Sequence, residues 1–190
     1  MNTSKISLNI HFTNCNRNII LRIMTDSMNI FIVGGAGTGK TCMFSRLIDN
    51  RFIYDYKMTD SLDKRTKNFI IDENPVRVTL WDVAGRDDLN DFDFNKWNKV
   101  SCGAMVLYDS TSKASFNKAH DILKLLSNFQ NIKLILIGSK IDQSEKRSVM
   151  IDDGAKLAGE WNALFSEISS LENKQVFDTF ATFIKKVQSD

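Results

Sequence analysis

The sequence has little proline and cysteine, and it has no long apolar run. Pro75 is the only proline in 190 residues, and the three cysteines, Cys15, Cys42 and Cys102, form no pair at metal-ligand spacing. An odd, scattered set of cysteines argues against a disulfide framework and predicts reduced thiols inside the cell. No run approaches the roughly 18 apolar residues that a membrane-spanning helix needs, so we expect no such helix.

Net charge is also small, since 25 basic residues stand against 23 acidic ones and leave a formal charge of +2. The excess lies in the first 27 residues, where Lys5, Arg17 and Arg22 are opposed only by Asp26. The rest of the chain is neutral, so a basic face for nucleic acid is not expected. A hydrophobic content of 43% and a charged content of 25% are typical of one soluble globular domain.

Residues 1–27 differ in composition from the rest, being rich in Asn, Ile and Ser and nearly free of acid. We predict a disordered N-terminal extension there. A targeting or membrane-contacting segment remains open, as does sequence translated upstream of a start at Met24 or Met28.

Short apolar runs alternate with helical patterns along residues 28–190, which we predict to be one domain. Strands are predicted at 30–33, 69–71, 76–80, 104–108, 134–137 and 164–165, and helices at 41–48, 114–129, 155–163 and 175–187. The second and third strands form a hairpin around residues 72–75, and the polar stretch 49–67 has only weak periodicity. This alternation predicts a three-layer α/β domain, with a mostly parallel sheet, one antiparallel edge strand and helices on both faces.

Residues 34–41 read G-G-A-G-T-G-K-T and fit the phosphate-loop pattern G-x-x-x-x-G-K-[ST]. Glycines let backbone N–H groups turn around phosphate oxygens, and the helix that follows presents its positive end to the same anion. Lys40 can reach the β- and γ-phosphates, and the Thr41 hydroxyl can ligate Mg²⁺. The motif does not choose between ATP and GTP. The residues expected at the phosphates are Gly35, Ala36, Gly37, Thr38, Gly39, Lys40, Thr41 and Cys42.

A second motif, D-V-A-G at residues 82–85, ends a predicted strand. Asp82 would hold the magnesium ion opposite Thr41, directly or through water. The Gly85 N–H could contact a γ-phosphate, because no side chain blocks its approach.

The third motif, S-K-I-D at residues 139–142, follows another strand and predicts the base. A carboxylate such as Asp142 accepts hydrogen bonds from both the ring N–H and the exocyclic amine of guanine. Adenine has no such donor pair, and a site built on polar pairing rejects a base that lacks it. The stem of Lys140 could cover the purine ring.

In this order the motifs resemble those of the Ras superfamily of small GTPases, along almost all of residues 29–188. Residues 139–142, beginning at Ser139, resemble its N/T-K-x-D loop. The resemblance extends to F-S-E-I-S-S, which resembles the E-x-S-A-K loop and places Ser169 and Ser170 beside the guanine oxygen.

Residues 49–59 resemble the first switch of the superfamily. By this resemblance, Phe52 packs against guanine, and Thr59 meets Mg²⁺ and the γ-phosphate. Trp81 and the run G-A-M-V-L-Y-D-S-T look Rab-like, although Trp81 is equally consistent with core packing and with an effector role. Residues 60–63 lack the I-G-V-D-F signature of Rab proteins.

The chain departs from the family at Arg86, where glutamine usually orients the attacking water. Arginine has no acceptor and cannot take the proton of that water, so we expect slow GTP hydrolysis. The resemblance gives a catalytic set of Lys40, Thr59, Gly85 and Arg86.

The sequence thus predicts a GTP/GDP switch that binds Mg²⁺ and meets effectors and regulators through its switch loops. The acidic segment 86–102 is either a solvated loop or an altered partner surface. No cysteine lies near the C-terminus, so we expect no prenyl anchor and a cytoplasmic protein that partners recruit to membranes. The oligomeric state is open, with a monomer as the default. The alternatives are a GTP-binding interaction module that hardly hydrolyses, and a phosphate-loop kinase or ATPase, for which no cluster of lid arginines is seen.

Overall fold

The computed structural model describes residues 27–54, 62–83, 102–129 and 131–189. In these residues six strands form one sheet, and four α-helices cover it. The strands are β1 (Met28–Gly34), β2 (Asp63–Ile71), β3 (Asn74–Asp82), β4 (Cys102–Asp109), β5 (Ile132–Ser139) and β6 (Leu164–Glu167). The helices are α1 (Lys40–Asp49), α2 (Lys113–Leu126), α3 (Ile151–Glu160) and α4 (Val176–Gln188).

The strand order is β2-β3-β1-β4-β5-β6. All neighbouring strands run parallel except β2 and β3, which form an antiparallel hairpin at one edge. The predicted fold class, including the single antiparallel edge strand, is confirmed.

The core consists of two apolar layers, one on each face of the sheet. Ile30 and Ile32 of β1 face the layer that contains α1 and α4, whereas Phe31 and Val33 face the layer that contains α2 and α3. A strand covered on both faces has no polar side, which explains the unbroken apolar run at this point of the sequence. Full burial of each such side chain contributes about 1.5–3 kcal/mol to stability.

The β2–β3 hairpin corrects two predictions. Asp72 and Glu73 alone form the turn, with left-handed φ values of 47° and 66°, whereas residues 72–75 were expected to form it. Two such residues give a turn whose twist matches that of the flanking strands. Strand β2 also begins at Asp63 rather than at the predicted Phe69. The prediction missed this start because the first six residues of the strand are exposed and polar and show no apolar pattern.

Helix α3 begins four residues before the predicted start at Ala155. The prediction missed the first turn of the helix because it contains Gly154, and glycine is a poor helix former. Its position has no room for a side chain, since a Cβ would lie 2.6 Å from the Tyr108 hydroxyl. The other three predicted helices overlap the observed ones. Within the described part of the chain, no helix is long and apolar enough to cross a bilayer.

Candidate nucleotide-binding site

The three motif regions meet at one edge of the sheet, where the parallel strands end. Strand β1 leads into the phosphate loop at Gly34, β3 ends at Asp82, and β4 and β5 end at Asp109 and Ser139. Ligands of open α/β sheets bind in the crevice outside the carboxyl ends of the strands. The candidate site therefore lies at the edge of the sheet where this architecture favours a ligand-binding site.

The phosphate loop turns through two glycines in the left-handed region, Gly37 at φ 74° and Gly39 at φ 88°. Gly39 is also the N-cap of α1, where no side chain caps the helix and no acidic residue lies in the first turn. The N-terminal N–H groups and the positive end of the helix dipole therefore favour an anion here. Ala36 is exposed on the same loop.

Lys40 is folded back onto the loop and is only 6% exposed. Its Nζ donates to the carbonyl oxygens of Gly34 at 3.0 Å and Gly35 at 2.8 Å. Burial lowers the pKa of Lys40, and the negative charge of Asp82 opposes this shift. The buried hydroxyl of Thr38 also donates to the Gly35 carbonyl, at 3.0 Å, which stiffens the turn.

Thr41 and Asp82, two of the three predicted metal ligands, are in contact. The Thr41 hydroxyl donates to Asp82 Oδ2 at 2.7 Å. Asp82 is 1% exposed, and its Oδ1 has no hydrogen-bond partner among the described residues. Burial raises the pKa of Asp82, against the hydrogen bond from Thr41 and the charge of Lys40. A buried carboxylate oxygen without a donor, beside a hydroxyl, fits a hard cation such as Mg²⁺.

A cavity of about 390 Å³ opens beside the phosphate loop. This volume lies in the range of small-molecule pockets. Residues of the phosphate loop and of the predicted base loop, residues 139–142, line the same cavity. Its walls are formed by Gly37, Gly39, Cys42, Phe52, Ile53, Tyr54, Ser139, Lys140, Asp142, Gln143, Ser170 and Leu171.

Asp142 is held in orientation by Ser169. The Ser169 hydroxyl donates to Asp142 Oδ1 at 2.5 Å and accepts from the backbone N–H of Glu172 at 3.1 Å. Since the Glu172 N–H occupies an acceptor position of this hydroxyl, its one proton is directed to Asp142. In the described part of the chain no hydrogen bond is made to the other carboxylate oxygen, which can accept from a ligand in the cavity.

Lys140 is fixed by Asp109, a partner that the sequence did not indicate. Its Nζ lies 2.7 Å from Asp109 Oδ2, and its backbone adopts a left-handed φ of 61°. The N–H and hydroxyl of Thr111 donate to the other oxygen of Asp109, at 2.9 and 2.7 Å. Burial raises the pKa of Asp109, but the hydrogen bonds from Lys140 and Thr111 outweigh it, so the pKa lies below its usual value.

Ser139 joins the base loop to the phosphate loop. Its hydroxyl lies within donating distance of two carbonyl oxygens, that of Thr38 at 2.7 Å and that of Tyr108 at 2.8 Å. A hydroxyl has one proton, so it donates to one of them at a time. Either way, the hydrogen-bonding proton of Ser139 is directed at backbone carbonyls.

Two other predicted residues line the same cavity, Cys42 on α1 and Phe52 within the first predicted switch. Burial raises the pKa of the Cys42 thiol, whose Sγ is 3.9 Å from the Ile53 carbonyl oxygen. The Phe52 ring packs edge-on against Tyr54, with 5.0 Å between centroids. Arg46 lies next to Phe52, and its helical position carries no motif that could have identified it.

Three predicted residues, Thr59, Gly85 and Arg86, lie outside the described residues. Trp81 is described and is a core residue, because it is buried and stacks on Phe31 at 5.9 Å between ring centroids. Its indole N–H also donates to Asn29 Oδ1 at 2.9 Å, so the core-packing interpretation accounts for this tryptophan.

Comparisons with known proteins agree with this geometry. A family model described as the Ras family matches residues 29–189. The Ras-related protein RABA4d of Arabidopsis thaliana is 31% identical over 160 residues, which cover 83% of this chain and 72% of that protein. The GTP-binding protein yptV2 of Volvox carteri is 30% identical over 163 residues, covering 84% and 75%. The Ras-related protein Rab-15 of Homo sapiens is 29% identical over 163 residues, covering 83% and 75%. The chain therefore belongs to the Ras family and is a Rab-like small GTPase.

Proposed function

We propose that this protein is a Mg²⁺-dependent GTP/GDP switch with slow intrinsic hydrolysis, acting in vesicle trafficking or signalling. The observation that carries the proposal is that the phosphate loop and the base loop line the same cavity. Relatives named as Ras-related and GTP-binding proteins support the same ligand.

We propose that the protein promotes GTP hydrolysis mainly by positioning the nucleotide and by electrostatic stabilisation of the transition state. Lys40 supplies positive charge at the phosphate loop, and the N-terminus of α1 adds backbone donors. Asp142, oriented by Ser169, accepts from the two donors of guanine. Asp82 and Thr41 would hold the magnesium ion, which neutralises charge on the β- and γ-phosphates when bound.

Slow hydrolysis follows from Arg86, which stands where the family usually has glutamine. A guanidinium only donates hydrogen bonds, so it cannot orient the attacking water through an acceptor. The γ-phosphate then persists longer, and with it the GTP-bound form that effectors recognise through the switch segments around Thr59 and Arg86. In this proposal residues 28–190 form the switch domain, residues 1–27 are an extension, and the protein acts as a monomer recruited to membranes by partners.

Identification of the nucleotide that the purified protein releases on denaturation tests the proposal first. We expect guanine nucleotide, with GTP in excess of GDP if hydrolysis is slow. Competition of labelled GTP by GTP and by ATP is the second arm. Equal competition by the two nucleotides would contradict guanine recognition by Asp142.

The hydrolysis rate needs a separate experiment, single-turnover cleavage of bound GTP by the natural protein and by Arg86→Gln. The variant restores an acceptor for the water, so we expect faster cleavage, by about 10- to 100-fold. An unchanged or slower rate would refute the role given to Arg86. A natural rate about a thousandth of that of Arg86→Gln would favour a second candidate function, a GTP-binding interaction module that hardly hydrolyses.

A further inference from the structure

The cavity lined by the phosphate loop and residues 139–142 is called the base cavity from here on. Arg46 lies behind its wall, in the last turn of α1. Its Nε donates to the Ser170 carbonyl at 2.7 Å, and its Nη2 donates to the Leu171 carbonyl at 2.9 Å. Its Nη1 donates to the Asn50 carbonyl at 3.1 Å. The guanidinium carbon also lies 5.8 Å from the centroid of the Phe52 ring, within the range of a cation–π contact.

These contacts connect two walls of the cavity that are far apart in sequence. Phe52 lies within the first predicted switch, and Ser170 and Leu171 belong to the loop after β6. That loop is closed by paired backbone hydrogen bonds between Ser169 and Lys174, at 3.1 and 2.9 Å. Arg46 therefore links the two walls, and the Asn173 amide adds a second link by donating to Asn50 Oδ1 at 3.3 Å.

We propose that Arg46 is the positioning residue of the base cavity and sets the residence time of the bound nucleotide. The inference rests on the proposed guanine-nucleotide binding. Arg46 does not line the cavity, so it acts through Phe52, Ser170 and Leu171 rather than by contact with the ligand.

Only arginine fits this arrangement. Nε and Nη2 point along one edge of a planar fork and meet two successive carbonyl oxygens, while Nη1 serves a third. A lysine ammonium keeps the charge but is one point on a flexible stem, so it cannot bridge the three carbonyls in a fixed plane. Arg46→Lys therefore tests the geometry apart from the charge.

The phosphate loop is expected to keep its ligand contacts in such a variant. The hydrogen bonds of Lys40 and Thr38 lie within residues 34–40 and do not involve Arg46. Loss of Arg46 should therefore weaken recognition of the base and leave recognition of the phosphates nearly unchanged. A general loss of packing would weaken both.

The experiment compares the natural protein with Arg46→Lys, Arg46→Met and a control, Arg77→Lys, an exposed arginine of β3 outside the cavity. Dissociation of labelled GDP is measured with Mg²⁺ present, and binding of inorganic pyrophosphate is measured by titration. Loss of one charge-assisted hydrogen bond predicts about tenfold faster GDP release in both Arg46 variants. Pyrophosphate affinity should change by less than about twofold, and the control should match the natural protein.

A double-mutant cycle with Phe52→Leu provides a second measurement if Arg46→Met folds poorly. Because Arg46 is proposed to act partly through Phe52, the rate increase in Arg46→Lys combined with Phe52→Leu should be smaller than the product of the two single effects. GDP release within twofold of the natural rate in Arg46→Lys would overturn the proposal. A fold-loss of pyrophosphate affinity as large as the fold-increase in the GDP release rate would also overturn it. If the natural protein retained no guanine nucleotide, the proposed function itself would fail.

Discussion

Replacement of Asp142 by asparagine gives the sharpest test of how the cavity recognises a base. In the natural protein Ser169 donates to Asp142 Oδ1, and its proton is committed to that oxygen because the Glu172 N–H binds the hydroxyl from the other side. In Asp142→Asn the only acceptor for that proton is the amide oxygen. The amide nitrogen would therefore occupy the position of the carboxylate oxygen that faces the ligand.

The magnitude follows from the hydrogen bonds that are exchanged. Guanine presents two donors, and hydrogen bonds to a charged group contribute about 1.5–3 kcal/mol each. In Asp142→Asn the amide oxygen can still accept from the ring N–H, but the amide nitrogen opposes the exocyclic amine, so the loss is about 1.5–3 kcal/mol, or roughly 10- to 10²-fold in affinity. Xanthine carries a carbonyl at the position of the guanine amine and can accept from the new amide. We therefore expect the preference to shift from GDP to XDP.

The assay is competition of labelled nucleotide by GDP and by XDP in the natural protein, in Asp142→Asn and in Asp152→Asn. Asp152 is an exposed aspartate in the first turn of α3, so its replacement controls for loss of one negative charge away from the cavity. The control should prefer GDP as the natural protein does. An Asp142→Asn protein that still preferred GDP by more than tenfold would refute base recognition by this carboxylate.

Two further predictions concern charged groups at the ends of strands. For Asp82→Asn, GDP release should be fast and insensitive to EDTA, whereas EDTA should accelerate release from the natural protein by about tenfold or more; equal acceleration in both would contradict magnesium binding by Asp82. The pKa of Asp109 is held below its usual value by hydrogen bonds from Lys140 and Thr111 that outweigh its burial. Its ionised form therefore stabilises the fold above the unfolded-state pKa of about 3.9, and this contribution is lost as pH falls through the lower folded-state pKa. Urea unfolding should show Asp109→Asn to be less stable by about 1 kcal/mol at pH 7, with the difference shrinking towards pH 3; a difference independent of pH would exclude this linkage.

The sequence predicted those parts of the fold in which one physical requirement dominates. Strand β1 is covered on both faces, so every residue from Met28 to Val33 except Asn29 is apolar and the strand is easily recognised. Strand β2 lies at the edge, where only Phe69 and Ile71 are buried, and its first six residues follow no apolar pattern. The start of β2 was therefore missed, and the turn at its end was predicted two residues too long.

The same distinction applies to the candidate site. Residues that share a short motif, such as Lys40 and Thr41, could be identified from spacing alone. Arg46 could not be, since it binds the carbonyl of Ser170, 124 positions away, and a backbone carbonyl leaves no signature in the sequence. Asp109 lies at the end of a predicted strand and Lys140 lies in a motif, but the ion pair between them becomes apparent only when β4 and β5 lie side by side.

A comparison of the buried and partly buried charges within this protein also separates stability from binding. Arg147 and Glu167 form two parallel hydrogen bonds, at 2.7 and 3.0 Å, so each charge is matched by its partner. Lys40, by contrast, donates to neutral carbonyls, and Asp82 accepts from a neutral hydroxyl and keeps one oxygen without a donor among the described residues. Burial opposes the charged forms of both, lowering the pKa of Lys40 and raising that of Asp82. Lys40 and Asp82 attract each other but offset their burial only in part, and a buried charge that is not fully offset destabilises a fold, which fits a role in binding ligands of opposite charge. Binding of such ligands to the folded state alone then stabilises it by mass action.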